Sequence, residues 1–151
     1  MMLLALLSLL AAPRDTLGIY EGWGAFREPS PLRCFAIARP VGGRGQAFAS
    51  VANWPREGAR NQLHLRLSRA RAANARVTLS VGERRFELTA GAADAWAPDA
   101  DTDRAIVAAM RDGRSMSVES VGANGAPFAD TYALKGAATA IDAAAVGCAG
   151  R

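Results

Sequence analysis

The fold is indicated most clearly by one stretch, Val77-Thr78-Leu79-Ser80-Val81-Gly82-Glu83-Arg84-Arg85-Phe86-Glu87-Leu88. Apolar side chains take every second position on both sides of Gly82-Glu83, which is the alternation of a strand with one buried face. Glycine in the first position of a two-residue connection suits a type II′ turn, because that position needs a positive φ. The stretch therefore predicts an antiparallel β-hairpin.

Similar segments recur along the chain between turn-forming residues. Strands are predicted at 33–39, 48–54 and 63–69, and a second hairpin joins 115–121 to 128–134. Short strands at such regular spacing are typical of an antiparallel sandwich or barrel. The fold class we predict is therefore mostly β, with some α+β character. We expect the large aromatic residues to anchor its core: Trp23, Trp54, Trp96, Phe86 and Phe128.

Two short helices are predicted, at about residues 102–113 and 137–146. The segment Asp99 to Asp103 supplies side-chain oxygens that cap the start of the first helix, and Gly113 ends it. The second helix is rich in alanine and ends at Gly147. It is expected to present three residues to the core: Ile141, Ala144 and Ala145.

The chain begins with twelve residues that carry no charge, Met1 to Ala12. As a helix such a run spans about 18 Å, too short for a hydrocarbon core of about 30 Å. We therefore interpret residues 1–15 as a signal peptide and lead-in, and residues 16–151 as a single domain. This interpretation predicts a periplasmic or secreted protein without a transmembrane span.

The chain contains two cysteines, Cys34 and Cys148, 114 positions apart. An oxidising compartment would favour a disulfide that ties the two ends of the domain together. The alternative is a pair of unrelated buried thiols. With His64 as the only histidine, the sequence offers no plausible ligand set for structural zinc, and we predict no metal and no cofactor.

His64 is also the only candidate for a histidine general base. We expect it on the outward face of a strand, on the same side as Ser68 and without a carboxylate to orient it. The sequence therefore predicts no catalytic set and no enzyme. The alternative is a small ligand-binding or hydrolytic protein in which folding brings an acid close to His64.

Three aspartates at alternate positions, Asp99, Asp101 and Asp103, match the opening of a calcium loop. Such a loop also needs glycine at its sixth position and glutamate at its twelfth, where this chain has Arg104 and Met110. Helix capping is the interpretation that we favour.

A cluster of arginines is the candidate surface for an anionic partner, because guanidinium groups bind oxyanions through two hydrogen bonds. No aromatic residues alternate with them, so nucleic acid is not the predicted partner. The alternative, which we favour, is a solvated strand face. The cluster consists of Arg56, Arg60, Arg66, Arg69, Arg71 and Arg76. Trp54 and Trp96 are a further candidate, as a carbohydrate-stacking pair, although core anchoring is favoured.

Several segments, taken in order, carry a family resemblance. They are Trp23 to Cys34, Phe86-Glu87-Leu88, Asp94-Ala95-Trp96-Ala97, the helix Ile106 to Gly113, and Asp130-Thr131-Tyr132-Ala133-Leu134-Lys135-Gly136 followed by Ala140 and Cys148. In this order they resemble the invasion-associated locus B family of bacterial exported proteins, and Trp23 to Cys34 is similar to the opening strand of that family. The resemblance extends over residues 22–148.

The resemblance implies a periplasmic or surface-exposed β-sandwich without established enzymatic activity. The additional internal cysteine pair of some members has no counterpart here, and Gly136 is followed by Ala137 instead of an aromatic residue. No shared ligand site is therefore carried over. The sequence predicts a non-enzymatic envelope or interaction protein with an envelope or host-surface partner; a purely structural envelope protein is the remaining alternative.

Overall fold

The computed structural model describes residues 13–43 and 45–150, so residues 1–12 of the predicted signal peptide lie outside the described part. Within these residues, ten strands and two helices follow one another. They are β1 (Asp15–Tyr20), β2 (Trp23–Pro29), β3 (Leu32–Ala38), β4 (Phe48–Trp54), β5 (Ala59–Arg66), β6 (Val77–Val81), β7 (Arg84–Ala90), β8 (Asp94–Trp96), α1 (Ala100–Asp112), β9 (Ser115–Val121), β10 (Pro127–Ala133) and α2 (Ala137–Cys148).

All strand pairs are antiparallel and form one sheet in the order β1-β2-β3-β4-β5-β8-β7-β6-β9-β10. Strand β7 joins two halves of this sheet, because it pairs with β6 and, through Thr89 and Ala90, with β8. Apolar residues of both halves belong to a single core cluster. The predicted mostly-β class with two helices is confirmed.

Both predicted hairpins are confirmed, and Gly82 has the positive φ of 58° that its turn position requires. Other boundaries differ from the prediction. Trp23 to Cys34 is not one strand but a hairpin, β2 and β3, turned near Pro31. Strand β5 ends at Arg66 instead of residue 69, and the short strands β1 and β8 were not predicted.

The helices pack on the inner side of the sheet. Helix α1 lies against β5, β6 and β7, and its predicted apolar face is buried: Ile106, Val107 and Met110. Helix α2 lies against β1 to β4 and continues to Cys148, two residues past its predicted end. Ile141 and Ala144 are buried as predicted, whereas Ala145 is exposed because it lies at the margin of the buried face of the helix.

Contacts between the two ends of the sheet close the fold. The indole Nε1 of Trp23 donates a 2.8 Å hydrogen bond to the carbonyl oxygen of Ala133, and the Val41 N–H donates to the carbonyl oxygen of Thr131 at 2.7 Å. At the start of α2, a Cβ on Gly136 would collide with the carbonyl oxygen of Tyr20, and φ is 89° there. Glycine is therefore required where β10 passes into α2 beside β1.

Asp103 is a buried carboxylate that serves the fold. It lies on α1 and accepts a 2.9 Å hydrogen bond from the Leu63 N–H of β5. Burial raises its pKa above the usual 3.8 of an aspartate, opposed by the Leu63 hydrogen bond. The folded protein therefore holds this proton more tightly than the unfolded chain does.

This pKa shift predicts a pH-dependent effect of Asp103→Asn. Ionisation of Asp103 costs more in the folded state, so its destabilising contribution appears as the pH rises above 3.8. Asparagine keeps an oxygen for Leu63 and does not ionise. The free energy of unfolding of the variant, measured in urea, should therefore rise relative to that of the unchanged protein between pH 4 and pH 7. A difference that stays constant over this range would contradict the prediction.

Candidate functional site

The first half of the sheet consists of strands β1 to β5 and β8. One side of it is not covered by either helix, and we call this side the open face. Strand alternation places on it the side chains that point away from the core, in registered rows across the strands. One row runs Ile19–Gly24–Ile37–Ser50–His64–Trp96–Thr89. Many of these residues are apolar or aromatic, which is unusual for a solvent-facing side of a sheet.

A groove of about 560 Å³ lies at one end of the open face. Its apolar lining comes from Ile19, Phe26, Ile37 and Phe48, with polar residues at the rim. Ile19 is 64% exposed although it is a large aliphatic side chain. Gly24 belongs to the lining as well, and a Cβ there would lie 2.6 Å from the Phe26 ring. The missing side chain lets this ring lie across the floor of the groove.

At the opposite end of the open face, arginine side chains cover the aromatic rings. The Arg33 guanidinium lies 4.0 Å from the Phe35 ring centroid, and Arg14 lies 5.3 Å from that of Phe26. Glu28 pairs with both guanidinium groups, at 3.1 Å to Arg14 and 3.5 Å to Arg33. Burial lowers the pKa of Arg33, against the opposing effect of Glu28. These side chains cover Phe35, which is only 1% exposed.

A polar cluster adjoins the groove around His64. Its Nε2 lies 2.7 Å from Asp94 Oδ1, and the same oxygen is 3.1 Å from the Nε of Arg66. The imidazole stacks on Trp96 with centroids 5.4 Å apart and contacts Phe48 edge-on at 5.1 Å. The prediction that no carboxylate orients His64 is therefore wrong, because pairing of β5 with β8 brings Asp94 beside it.

The cluster orients an imidazole but shows no nucleophile bonded to it. Within residues 13–43 and 45–150, His64 has no hydrogen bond to a serine, threonine or cysteine side chain. Ser68 does not share its strand face, because β5 has ended and the Ser68 N–H donates to Asp130 Oδ2. Cys34 is bonded to Cys148. The geometry is that of an imidazole held in place by Asp94 and Trp96 on the open face, with the elements of an acid–base pair.

The six arginines of the predicted anionic-partner surface are distributed over several environments. Arg71 donates to the carbonyl oxygens of Ala72, Ala75, Ala90 and Gly91, so its guanidinium holds the fold together and is not free for a partner.

The other five arginines are more exposed. Arg66 lies on the open face with Asp94, and Arg76 lies 3.8 Å from Glu87. The remaining three are exposed: Arg56 lies in a 3-10 turn (Pro55–Glu57), Arg60 at the start of β5 and Arg69 after its end. Binding of an anionic partner by these groups remains a prediction.

The predicted aromatic anchors divide between the core and the open face. Trp23 is fully buried and Phe86 nearly so, as expected, and Phe128 is partly buried. Trp96 is 37% exposed and stacks on His64, so its assignment to the core is wrong. Trp54 is only partly buried and faces Arg33. Trp54 and Trp96 share the open face but lie about five residues apart along it, roughly 16 Å.

Asp99 caps α1, accepting from the Thr102 N–H at 2.7 Å, and hydrogen bonding with the side chain and then the backbone of Thr102 lowers the pKa of Asp99. In the described part of the chain, no group of three or more histidine, cysteine or acidic residues is arranged to hold a metal ion. None of the helices described is long and apolar enough to span a bilayer.

The disulfide predicted between Cys34 and Cys148 is present, with Cα atoms 5.9 Å apart. It connects β3 to the last residue of α2 on the inner side of the sheet.

A comparison with protein-family models matches residues 28–145 to the invasion associated locus B (IalB) protein family. The chain belongs to the IalB family. The IalB match thus covers β3 to β10 and most of α2, including Asp94 and Trp96. No curated protein and no solved structure matches the chain.

Sequence reasoning missed the groove, and a signal for it was present. In β2 and β3, both alternating sets of positions are apolar or small: Ala25, Cys34 and Ala36 face inward, while Phe26 and Ile37 face outward. A strand that is apolar on both sides is usually covered on both sides. This pattern in β2 and β3 was the available signal for an apolar open face, beside which Ile19 of the neighbouring β1 is exposed.

Proposed function

We propose that this IalB family member is an exported, non-enzymatic binding module of the cell envelope, periplasmic or secreted, which engages its partner through the open face. One observation carries the proposal: an apolar groove lies on the only side of the first half-sheet that the described helices leave uncovered. Exposed apolar surface costs solubility and is commonly retained for binding.

Export is supported by two independent features of the chain. The first twelve residues form an uncharged apolar run of the length of a signal-peptide core. The disulfide joins residues 114 positions apart, and such structural disulfides persist in oxidising compartments. Membership of the IalB family agrees with this localisation.

A second candidate function is hydrolysis with His64 as general base. It is favoured by the His64–Asp94 contact of 2.7 Å, because a carboxylate that orients imidazole is part of many hydrolytic sites. It ranks second because a hydroxyl or thiol bonded to the imidazole is not found in the described structure.

The proposed function predicts that Ile19→Asp weakens binding of the purified domain to envelope fragments of the producing bacterium by about tenfold, since burial of an isoleucine contributes about 1.5–3 kcal/mol. Cosedimentation measures the bound fraction. The matched control is Val146→Asp, because Val146 is 75% exposed on α2, away from the open face. Far-UV circular dichroism checks that both variants fold.

The proposal would be overturned if envelope fragments bound Ile19→Asp and the unchanged protein equally well, or if they bound neither. A chromogenic ester provides the test of the second candidate. Ester turnover that disappears in His64→Gln, while retention is insensitive to Ile19→Asp, would establish hydrolysis in place of binding.

A further inference from the structure

We propose that the groove binds the hydrocarbon chain of an anionic single-chain amphiphile, with Arg39 facing the acidic head group. This inference rests on the proposed function, because it assigns a ligand class to the same open face. Three features of the groove support this ligand class: its apolar lining, the paired backbone groups of its floor and the charge at its rim.

The lining suits hydrocarbon. Ile19, Phe26, Ile37 and Phe48 supply aliphatic and aromatic surface from four different strands, and Gly24 keeps the floor low between them. The volume of about 560 Å³ falls within the range of small-molecule sites. The groove is open along one side, so a flexible linear chain can lie in it without passing through a narrow entrance.

The backbone beneath the groove excludes an extended peptide as the best occupant. Strands β2, β3 and β4 are central in their half-sheet, and their N–H and C=O groups pair with neighbouring strands. A peptide laid across this floor would bury its own backbone groups without partners, at a cost of several hydrogen bonds. A hydrocarbon chain has no such groups to satisfy.

The charge at the rim selects an anion. Glu21 and Arg39 are the two charged residues of the lining. The Glu21 carboxylate lies 3.7 Å from the Lys135 ammonium and is compensated by it. Arg39 is exposed and forms no ion pair with any acidic residue that the structure describes. An acidic head group at the mouth of the groove would therefore meet an uncompensated guanidinium, as charge complementarity requires.

The test uses octanoate, decanoate and dodecanoate below their micellar concentrations, with binding measured by calorimetry. Each enclosed methylene should tighten binding by up to about fourfold, which corresponds to the transfer of one CH₂ from water. Ile19→Ser should weaken dodecanoate binding by about tenfold, whereas Val146→Ser, at a similarly exposed position outside the groove, should not change it.

A second pair of variants tests the head group. Arg39→Gln should weaken dodecanoate binding by about fivefold and leave the affinity for the uncharged dodecyl maltoside unchanged. Arg69→Gln, which removes an exposed arginine outside the groove, is the control and should behave like the unchanged protein.

The inference would be overturned by an affinity that does not depend on chain length. It would also be overturned if Arg39→Gln weakened the binding of dodecanoate and of dodecyl maltoside equally. If dodecanoate does not bind while envelope fragments still retain the protein in an Ile19-dependent manner, the ligand class is wrong and the proposed function stands. If dodecanoate binds as expected but envelope fragments retain nothing, the ligand class stands and the proposed function fails.

Discussion

Reduction of the Cys34–Cys148 disulfide is expected to lower the free energy of unfolding by about 4–5 kcal/mol, the entropy lost by an unfolded chain closed over a loop of this length. The bond spans 114 positions and fixes the end of α2 on β3. Natural domains are stable by only about 5–15 kcal/mol, so this loss is between about a third and nearly all of the stability of a typical domain. Urea titrations of the oxidised and the reduced protein measure the difference.

The double variant Cys34→Ala, Cys148→Ala separates the covalent bond from the reductant. It should unfold near the midpoint of the reduced protein and should not respond to dithiothreitol. A loss of less than about 1 kcal/mol on reduction would show that α2 is held by packing alone.

Trp23→Ala is expected to cost about 3–5 kcal/mol, the usual range for removal of a fully buried large aromatic side chain. Trp23 has no exposed surface, and its indole donates to Ala133 across the junction between the two ends of the sheet. The substitution therefore leaves a cavity and an unpaired carbonyl group at the point that closes the fold. Urea unfolding followed by circular dichroism provides the measurement.

Trp96→Ala is the matched control, because it removes the same side chain from the open face. Trp96 is partly exposed and packs on His64 instead of the core, so we expect a cost of about 1 kcal/mol or less. Equal destabilisation by the two substitutions would contradict the assignment of Trp23 to the core and Trp96 to the surface.

Local patterns account for the parts of the fold that the sequence predicted well. The hairpin β6–β7 depends on alternation over five residues and on Gly82, and the start of α1 depends on Asp99 and Thr102, three residues apart. Such interactions form between neighbours in the chain and need no knowledge of the remaining molecule. Strands β1 and β8 lack this advantage, because β8 has three residues and β1 is an edge strand stabilised by its partner β2.

The candidate site was predictable only in part, because its residues are distant in sequence. His64 was recognised as the single histidine, but Asp94 lies thirty positions away and meets it only through the pairing of β5 with β8. Trp96 was assigned to the core because a large aromatic residue is usually buried. Its position opposite His64 in the register places it on the other side of the sheet.

The sequence alone determined the mostly-β class, the two helices and the partner of each cysteine. Alternation, capping residues and the presence of only two thiols leave few alternatives for these features. Only the tertiary structure decided which side of the first half-sheet remains open, because β2 and β3 are apolar or small on both sides. The docking of α2 on the inner side, beneath the disulfide, leaves the groove and the His64–Asp94 pair facing solvent.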